Sequence, residues 1–226
     1  MRPILLLPLL VLLPISTVHA DMIQYAGSLS SLDGGLQGTG FWPNYNGAGT
    51  TIEWLIEDSP DGMWTYTYTL TVPRADVSHF ILEVSGSFLA DDAFNVSGPF
   101  DTWYVATHPG SPGVNTQPNP YMPGDLYGIK FDSTTGTTVE ISFNSYRTPV
   151  WGDFYAKCGN VGGTQNTIWN TGFLAADPTA PAADGSLNNH LLVPDSVDTR
   201  VPEPGTLALL GLGLPALRLL RRRKTS

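Results

Sequence analysis

The chain has 226 residues, enough for one domain of ordinary size with two short appendages. Charged residues make up 14% of the chain, and its 24 Gly and 19 Pro favour short strands and tight turns over a helical protein. Residues 21–200 keep five of the 11 Lys and Arg but 19 of the 20 Asp and Glu, and this formal charge of −14 argues against a nucleic-acid-binding protein.

Residues 1–20 have the three-part layout of a secretory signal peptide. Arg2 provides a basic start, an apolar run covers residues 4–15, and Val18 and Ala20 offer the small side chains that signal peptidase accepts. We therefore expect cleavage between Ala20 and Asp21. The apolar run is too short for a permanent membrane helix, which needs about 20 residues.

Residues 21–176 predict an all-β domain, an antiparallel β-sandwich of jelly-roll or immunoglobulin-like type. The clearest strand covers residues 64–72, where aromatic and aliphatic side chains alternate with four threonines. Residues 52–57 predict the strand before it, and residues 59–62 predict a type I turn that makes the two a hairpin. Five further strands are predicted at residues 79–84, 102–106, 126–131, 139–143 and 150–157.

Three connecting segments complete the predicted body. Residues 133–136 are turn-like, and we expect them to join two strands as a second hairpin. Residues 108–124 contain five prolines and predict a long surface loop. Residues 177–200, rich in Pro, Ala, Asp and Asn, predict a linker or stalk that leads into the C-terminal tail.

The tail, residues 201–226, has three ordered parts. Prolines keep its first part extended, and an apolar stretch of about 15 residues follows, which is short for a membrane span. The basic end should stay on the cytoplasmic side of the membrane. The first part is Val201, Pro202, Glu203 and Pro204, and the basic end is Arg221, Arg222, Arg223 and Lys224.

This tail resembles the PEP-CTERM sorting signal of Gram-negative bacteria, which has the same three parts in the same order. The resemblance implies processing by an exosortase, a membrane cysteine protease. It also implies that the apolar helix holds the chain transiently in the cytoplasmic membrane before the body reaches the cell surface or an extracellular matrix. A plain C-terminal membrane anchor is the alternative.

No catalytic or metal-binding pattern is evident in the body, so we expect no enzyme activity and no cofactor. His79, His108 and His190 are far apart and lack metal-ligand spacing, which favours structural or solvated histidines. Cys158 has no disulfide partner and is expected to be a small buried apolar residue. Ca²⁺ binding is an alternative at two acidic clusters, residues 57–61 and 91–92.

Six Trp and nine Tyr raise the question of sugar binding, but Trp54, Trp64 and Trp151 fall in or near predicted strands and are expected to fill the core. Residues 151–157 and 170–173 look like a signature of PEP-CTERM ectodomains of unknown function. Within it, Gly152 would permit a bulge at a corner of the core.

Three functions are consistent with these patterns. The first is a non-enzymatic surface or matrix protein that acts by adhesion or structure. The second is a carbohydrate-binding module for extracellular polysaccharide, which an exposed row of aromatic side chains would favour and burial of all six Trp would oppose. The third and least favoured is a secreted hydrolase, which needs two facing carboxylates in a cleft.

Overall fold

The computed structural model describes residues 22–115, 118–159 and 163–198 and shows an all-β domain. The predicted signal-peptide cleavage at Ala20 and Asp21 and the sorting tail lie outside these residues. In the described part, the strands are β1 Gln24–Ser30, β2 Leu36–Thr39, β3 Thr51–Asp58, β4 Trp64–Thr71, β5 Val77–Glu83, β6 Phe94–Ser97, β7 Thr102–His108, β8 Leu126–Asp132, β9 Thr138–Ser145, β10 Arg147–Gly152, β11 Phe154–Cys158, β12 Thr167–Asn170 and β13 Leu191–Asp198.

The strands form three antiparallel sheets, as the predicted fold class requires. A five-stranded sheet has the order β1-β3-β4-β9-β6, and a six-stranded sheet has the order β2-β12-β11-β5-β8-β7. Strands β10 and β13 pair with each other as a separate two-stranded sheet. Within the described residues the only helical element is one 3₁₀ turn at Ala90–Asp92.

Period-two alternation in β4 builds one side of the core. Tyr66, Tyr68 and Leu70 are buried, while the threonines between them are half-buried on the opposite face. From the six-stranded sheet, Phe80 lies 6.3 Å from Tyr68 between ring centroids, and other rings continue the contact. The buried faces of the two large sheets therefore share one core. Whether this architecture is of jelly-roll or immunoglobulin-like type stays a prediction.

The predicted hairpin between β3 and β4 is confirmed, because the two strands pair along their whole length. Its turn closes when the Gly62 N–H donates to the Ser59 carbonyl at 2.9 Å. Gly62 has a φ of +79°, a left-handed conformation that glycine adopts without steric cost. The turn residues therefore decide the hairpin locally.

The second predicted hairpin, at residues 133–136, is wrong. Strand β8 before this turn pairs with β5 and β7, whereas β9 after it pairs with β4 and β6 in the other sheet. The turn is a crossover between sheets. Alternation in a sequence indicates which face of a strand is buried, but it does not identify the strand's hydrogen-bonding partner.

The predicted strand at residues 150–157 is interrupted. It divides at Asp153, where the chain leaves β10, which pairs with β13, and enters β11, which pairs with β5 and β12. Trp151, Phe154 and Tyr155 are all buried around this change of sheet, as expected for a corner of the core.

The predicted stalk at residues 177–200 also differs from the structure. Residues 191–198 form β13, and Leu191, Leu192 and Val193 are buried in the core. Three apolar side chains in a row are enough to anchor a strand that is buried on both sides. Pro178 and Pro181 lie in the loop before this strand, whereas Pro194 lies within it, so the domain extends beyond residue 176.

The proline-rich loop after β7, described at residues 109–115 and 118–124, packs across the outer face of the six-stranded sheet. Met122 is buried there, and the Tyr155 hydroxyl donates to the Pro120 carbonyl at 2.7 Å. Met122 and Tyr155 join a second, smaller apolar cluster with Ile81, Leu126 and Phe173. The loop therefore covers part of the sheet and is more than the surface excursion that its prolines suggest.

Replacing Leu192 with Ala tests whether β13 belongs to the domain. Leu192 is 0% exposed, so we expect Leu192→Ala to lower the free energy of unfolding by about 2–5 kcal/mol. Leu174→Ala is the matched control, because Leu174 is 77% exposed and its loss should change stability by no more than about 0.5 kcal/mol. Urea denaturation of both variants measures the difference. Equally small effects would mean that residues 191–198 are a linker after all.

Candidate metal centre

Three side chains that are distant in the sequence converge at one end of the six-stranded sheet. Asp153 lies between β10 and β11, Asp177 lies in the loop after β12, and His190 immediately precedes β13. One potential ligand atom from each residue lies within 4.8 Å of the others. Asp153 and His190 are buried, while the Asp177 side chain is 47% exposed. The group is therefore enclosed on the protein side and reachable from solvent.

The backbone around Asp153 fixes its side chain. The Asp153 N–H donates to Glu83 Oε2 at 2.7 Å, and the Glu83 N–H donates to the Asp153 carbonyl at 2.9 Å. A Cβ at Gly152 would lie 2.5 Å from Val193 Cγ2 and 3.0 Å from Glu83 Oε2. Glycine is thus needed where β10, β13 and β5 approach one another.

A tight turn presents His190. Asn188 and Asn189 have φ values of 51° and 61°, the paired left-handed conformation of a type I′ turn, which Asn tolerates well. The turn closes when the His190 N–H donates to the Leu187 carbonyl at 2.9 Å. His190 Nδ1 lies 3.3 Å from the same carbonyl oxygen. The ring therefore points Nε2 at the carboxylates, 3.6 Å from Asp153 Oδ1 and 3.5 Å from Asp177 Oδ1.

Asn170 and Gly172 support the group without belonging to it. Asn170 Nδ2 donates to Asp153 Oδ1 at 2.6 Å and to the Asn189 carbonyl at 2.9 Å. A Cβ at Gly172 would lie 2.7 Å from His190 Cε1, so glycine leaves room for the imidazole. Both residues, together with Asp153, fall in the two segments of the sequence signature at residues 151–157 and 170–173. The sequence predicted a corner of the core at the first of these segments and did not predict a metal site.

Burial and mutual repulsion raise the carboxyl pKa values here. Burial raises the pKa of Glu83 to about 8, and the charges of Asp177 and Asp153 add to the effect. Burial also raises the pKa of Asp153 to about 6, although Asn170 and His190 favour its ionised form. The pKa of Asp177 is raised by burial as well. Three carboxyl groups thus share a poorly hydrated space with one imidazole, an arrangement that favours binding of a cation.

The acidic clusters singled out in the sequence are engaged elsewhere in the fold. Asp92 Oδ2 accepts a hydrogen bond from Arg147 Nη2 at 2.7 Å. Asp58 accepts from the Ile23 N–H, and Asp61 accepts from the Ser59 hydroxyl within its own turn. Their positions are explained by these contacts, and calcium binding at either cluster stays a prediction.

The structure shows how deeply Cys158 and the tryptophans are buried. Cys158 is fully buried in the core, as predicted. Trp54, Trp64 and Trp151 are also buried, as predicted for core residues. Trp103 and Trp169 are half-buried, so burial of all six Trp, the condition set against a carbohydrate-binding role, is not met.

His79 is buried on the outer face of the six-stranded sheet, away from His190. Its ring centroid lies 6.2 Å from that of Tyr155, and burial lowers its pKa to about 2, with the charges of Lys130 and Lys157 adding to the effect. Burial also lowers the pKa of His108, whose Nε2 lies 3.2 Å from the Gly128 carbonyl. Both rings are thus buried within the fold, whereas His190 faces two carboxylates.

Comparison with known protein families matches residues 200–224 to the PEP-CTERM protein-sorting motif. The chain therefore carries this motif at its C-terminus, as the sequence predicted, and the motif implies an exported protein that is sorted by an exosortase after transit in the membrane. Comparisons with curated proteins and with solved structures gave no match. Within the described residues, no helix has the length and apolar character needed to cross a membrane.

Burial of neutral His79 predicts a loss of stability in mild acid. Its pKa is about 2 in the folded chain, whereas an unfolded histidine titrates near 6.5. Between these values the unfolded chain binds more protons, so the free energy of unfolding falls as the pH falls below about 6.5. From pH 7 to pH 5 the contribution of His79 should drop by about 2 kcal/mol.

The measurement is urea denaturation at both pH values for the wild-type chain and for His79→Gln. Glutamine does not titrate, so the wild-type chain should lose about 2 kcal/mol more than the variant between pH 7 and pH 5. The two chains share all other titrating groups, so the contribution of the carboxylates near His190 to the change in unfolding free energy is the same in both and cancels. Equal losses would show that His79 can be protonated within the fold.

Proposed function

We propose that the chain is a non-enzymatic protein of the cell surface or extracellular matrix with a structural or adhesive role. The sorting motif at residues 200–224 carries the proposal, because it directs export and processing and supplies no chemistry of its own. The motif begins two positions after Asp198, where β13 ends. A folded domain is therefore attached almost directly to the sorting tail.

The outer face of the five-stranded sheet supports a structural or adhesive role. Hydroxyl groups pair across its central strands, as between Thr67 and Ser142 at 3.2 Å and between Thr71 and Thr138 at 3.3 Å. Such cross-strand pairs stabilise the sheet and leave a broad polar surface. An acidic, hydroxyl-rich surface keeps an exported protein soluble and available for contact with a hydrated matrix.

The same face also supports a second candidate, a carbohydrate-binding role. A shallow depression of about 530 Å³ lies over β1, β3, β4 and β9, and its lining includes Leu55, Thr67, Thr69, Glu53 and Glu140. Hydroxyls and carboxylates around a small apolar patch suit the alternating polar and apolar surfaces of a sugar. The ligand would be the polysaccharide of the surrounding matrix.

Glu53 and Glu140 bear on the hydrolase alternative. Both pair with Thr69 from opposite sides, so their backbones lie two strand spacings apart, about 10 Å. The carboxyl groups of an inverting glycosidase lie about 6.5–9.5 Å apart, slightly closer than these two backbones. Both side chains are exposed on an open face, however, and neither has the enclosed surroundings of a catalytic acid. We therefore favour the non-enzymatic role.

The sorting step predicts a specific mass for the mature protein. In cells with their exosortase, the protein recovered from surface and extracellular fractions should have lost residues 1–20 and part of the tail. In cells without the exosortase, the C-terminus should remain intact and the protein should remain in the membrane fraction. Mass spectrometry of both fractions from both strains makes the comparison. An intact C-terminus in both strains would identify the tail as a plain anchor.

The structural role and the carbohydrate-binding role differ in what Glu53→Gln should do. We expect cells that lack the protein to be less cohesive with their matrix. When such cells are given either Glu53→Gln or the exposed control Asp76→Asn, we expect cohesion to be restored fully. Cohesion assays and pull-down with the cells' own polysaccharide measure this. If Glu53→Gln alone loses cohesion and polysaccharide binding together, the carbohydrate-binding role replaces ours. Release of sugars or peptides by the purified full chain would contradict both.

A further inference from the structure

We propose that Asp153, Asp177 and His190 bind a zinc ion that fastens the loop before β13 to the corner between β10 and β11. The three residues offer one imidazole nitrogen and two carboxylate oxygens, a ligand set that zinc accepts. They come from three separate segments of the chain. The site is distinct from the two acidic clusters at residues 57–61 and 91–92.

The distances within the group fit metal coordination better than direct contact. Two ligands that each lie about 2.1 Å from a tetrahedral zinc ion are about 3.4 Å apart. His190 Nε2 lies 3.6 Å from Asp153 Oδ1 and 3.5 Å from Asp177 Oδ1. A charge-assisted hydrogen bond between an imidazolium and a carboxylate would shorten these to about 2.7–2.9 Å. The neighbouring bond from Asn170 to Asp153 reaches 2.6 Å, so the backbone here permits close approach.

The imidazole is held as metal-binding histidines usually are. Its Nδ1 faces the Leu187 carbonyl at 3.3 Å, an arrangement that places the proton on Nδ1 and the lone pair on Nε2. The side chain of His190 is 0% exposed, and its Nε2 is buried without a hydrogen-bond partner. A buried polar atom that lacks a partner is costly. A metal ion between Nε2 and the two carboxylates would satisfy it.

The ligand set decides among the common cations. Ca²⁺ takes about 6–8 oxygen ligands, and Mg²⁺ keeps an octahedral shell of oxygens, so neither gains from a buried imidazole. Zinc needs about four ligands and accepts nitrogen and oxygen together. Asp177 is partly exposed and leaves room for a water molecule as the remaining ligand.

The test is zinc titration of the purified, untagged full chain after removal of metals with EDTA. We expect the wild-type chain to bind one zinc ion, to unfold at a higher temperature when it is bound, and to respond more than tenfold less strongly to Ca²⁺. Asp177→Asn should weaken zinc binding at least tenfold. Because Asp177 is partly exposed, this variant should fold, and its melting temperature without metal checks that it does. Asp76→Asn, an exposed carboxylate at the far end of β5, is the matched control and should bind like wild type.

Substitution of Co²⁺ for zinc provides a direct view of the ligands. A tetrahedral Co²⁺ site gives visible absorption bands, which we expect in wild type and Asp76→Asn and expect to be lost in Asp177→Asn. The proposal is overturned if wild type shows no saturable zinc binding, if Asp177→Asn binds zinc as tightly as wild type, or if Ca²⁺ binds the group more tightly than zinc. These outcomes do not depend on the role of the protein at the cell surface.

Discussion

Two buried tyrosine hydroxyls determine how the small β10–β13 sheet is attached to the domain. Alternation in β4 sends Tyr66 and Tyr68 into the core, where a hydroxyl without a partner would be costly. Tyr66 donates to the Arg147 carbonyl at 2.6 Å, at the start of β10, and Tyr68 donates to the Leu192 carbonyl at 2.7 Å, in β13. The five-stranded sheet thereby positions β10, which Asp153 follows, and β13, which His190 precedes. The candidate metal centre depends on this attachment, although none of its residues lies in β4.

The sequence predicted the parts of the fold that depend on local chemistry. Alternation in β4 and the glycine turn at Gly62 are each determined within a few residues, so the pairing of β3 with β4 was predicted correctly. The crossover at residues 133–136 and the strand at Leu191–Asp198 depend instead on which distant strand offers a free edge. That information is spread over the whole chain. The composition of residues 177–200 therefore predicted a linker, although residues 191–193 are buried in the core.

The candidate metal centre was missed for a related physical reason. Metal motifs are recognised from a sequence when one helix or turn supplies two ligands at fixed spacing. Here each ligand comes from a different segment, and the link between them is made by the change of sheet at Asp153 and the type I′ turn before His190. Asn170 and Gly172 contact Asp153 and His190, but their segment carried no chemistry that the sequence could reveal.

The end of β13 also constrains how the sorting tail is used. The chain geometry limits the distance from Asp198 to Pro202 to about 14 Å, so a membrane protease that reads the motif must work next to a folded domain. The body has a formal charge of −14 and is repelled by anionic headgroups, whereas the basic residues of the tail follow the motif. The motif can move farther from the domain only if β13 itself opens. The Tyr68 hydroxyl at Leu192 and the contacts of His190 hold the first residues of β13 in place. These contacts therefore also limit how far the motif can move from the domain.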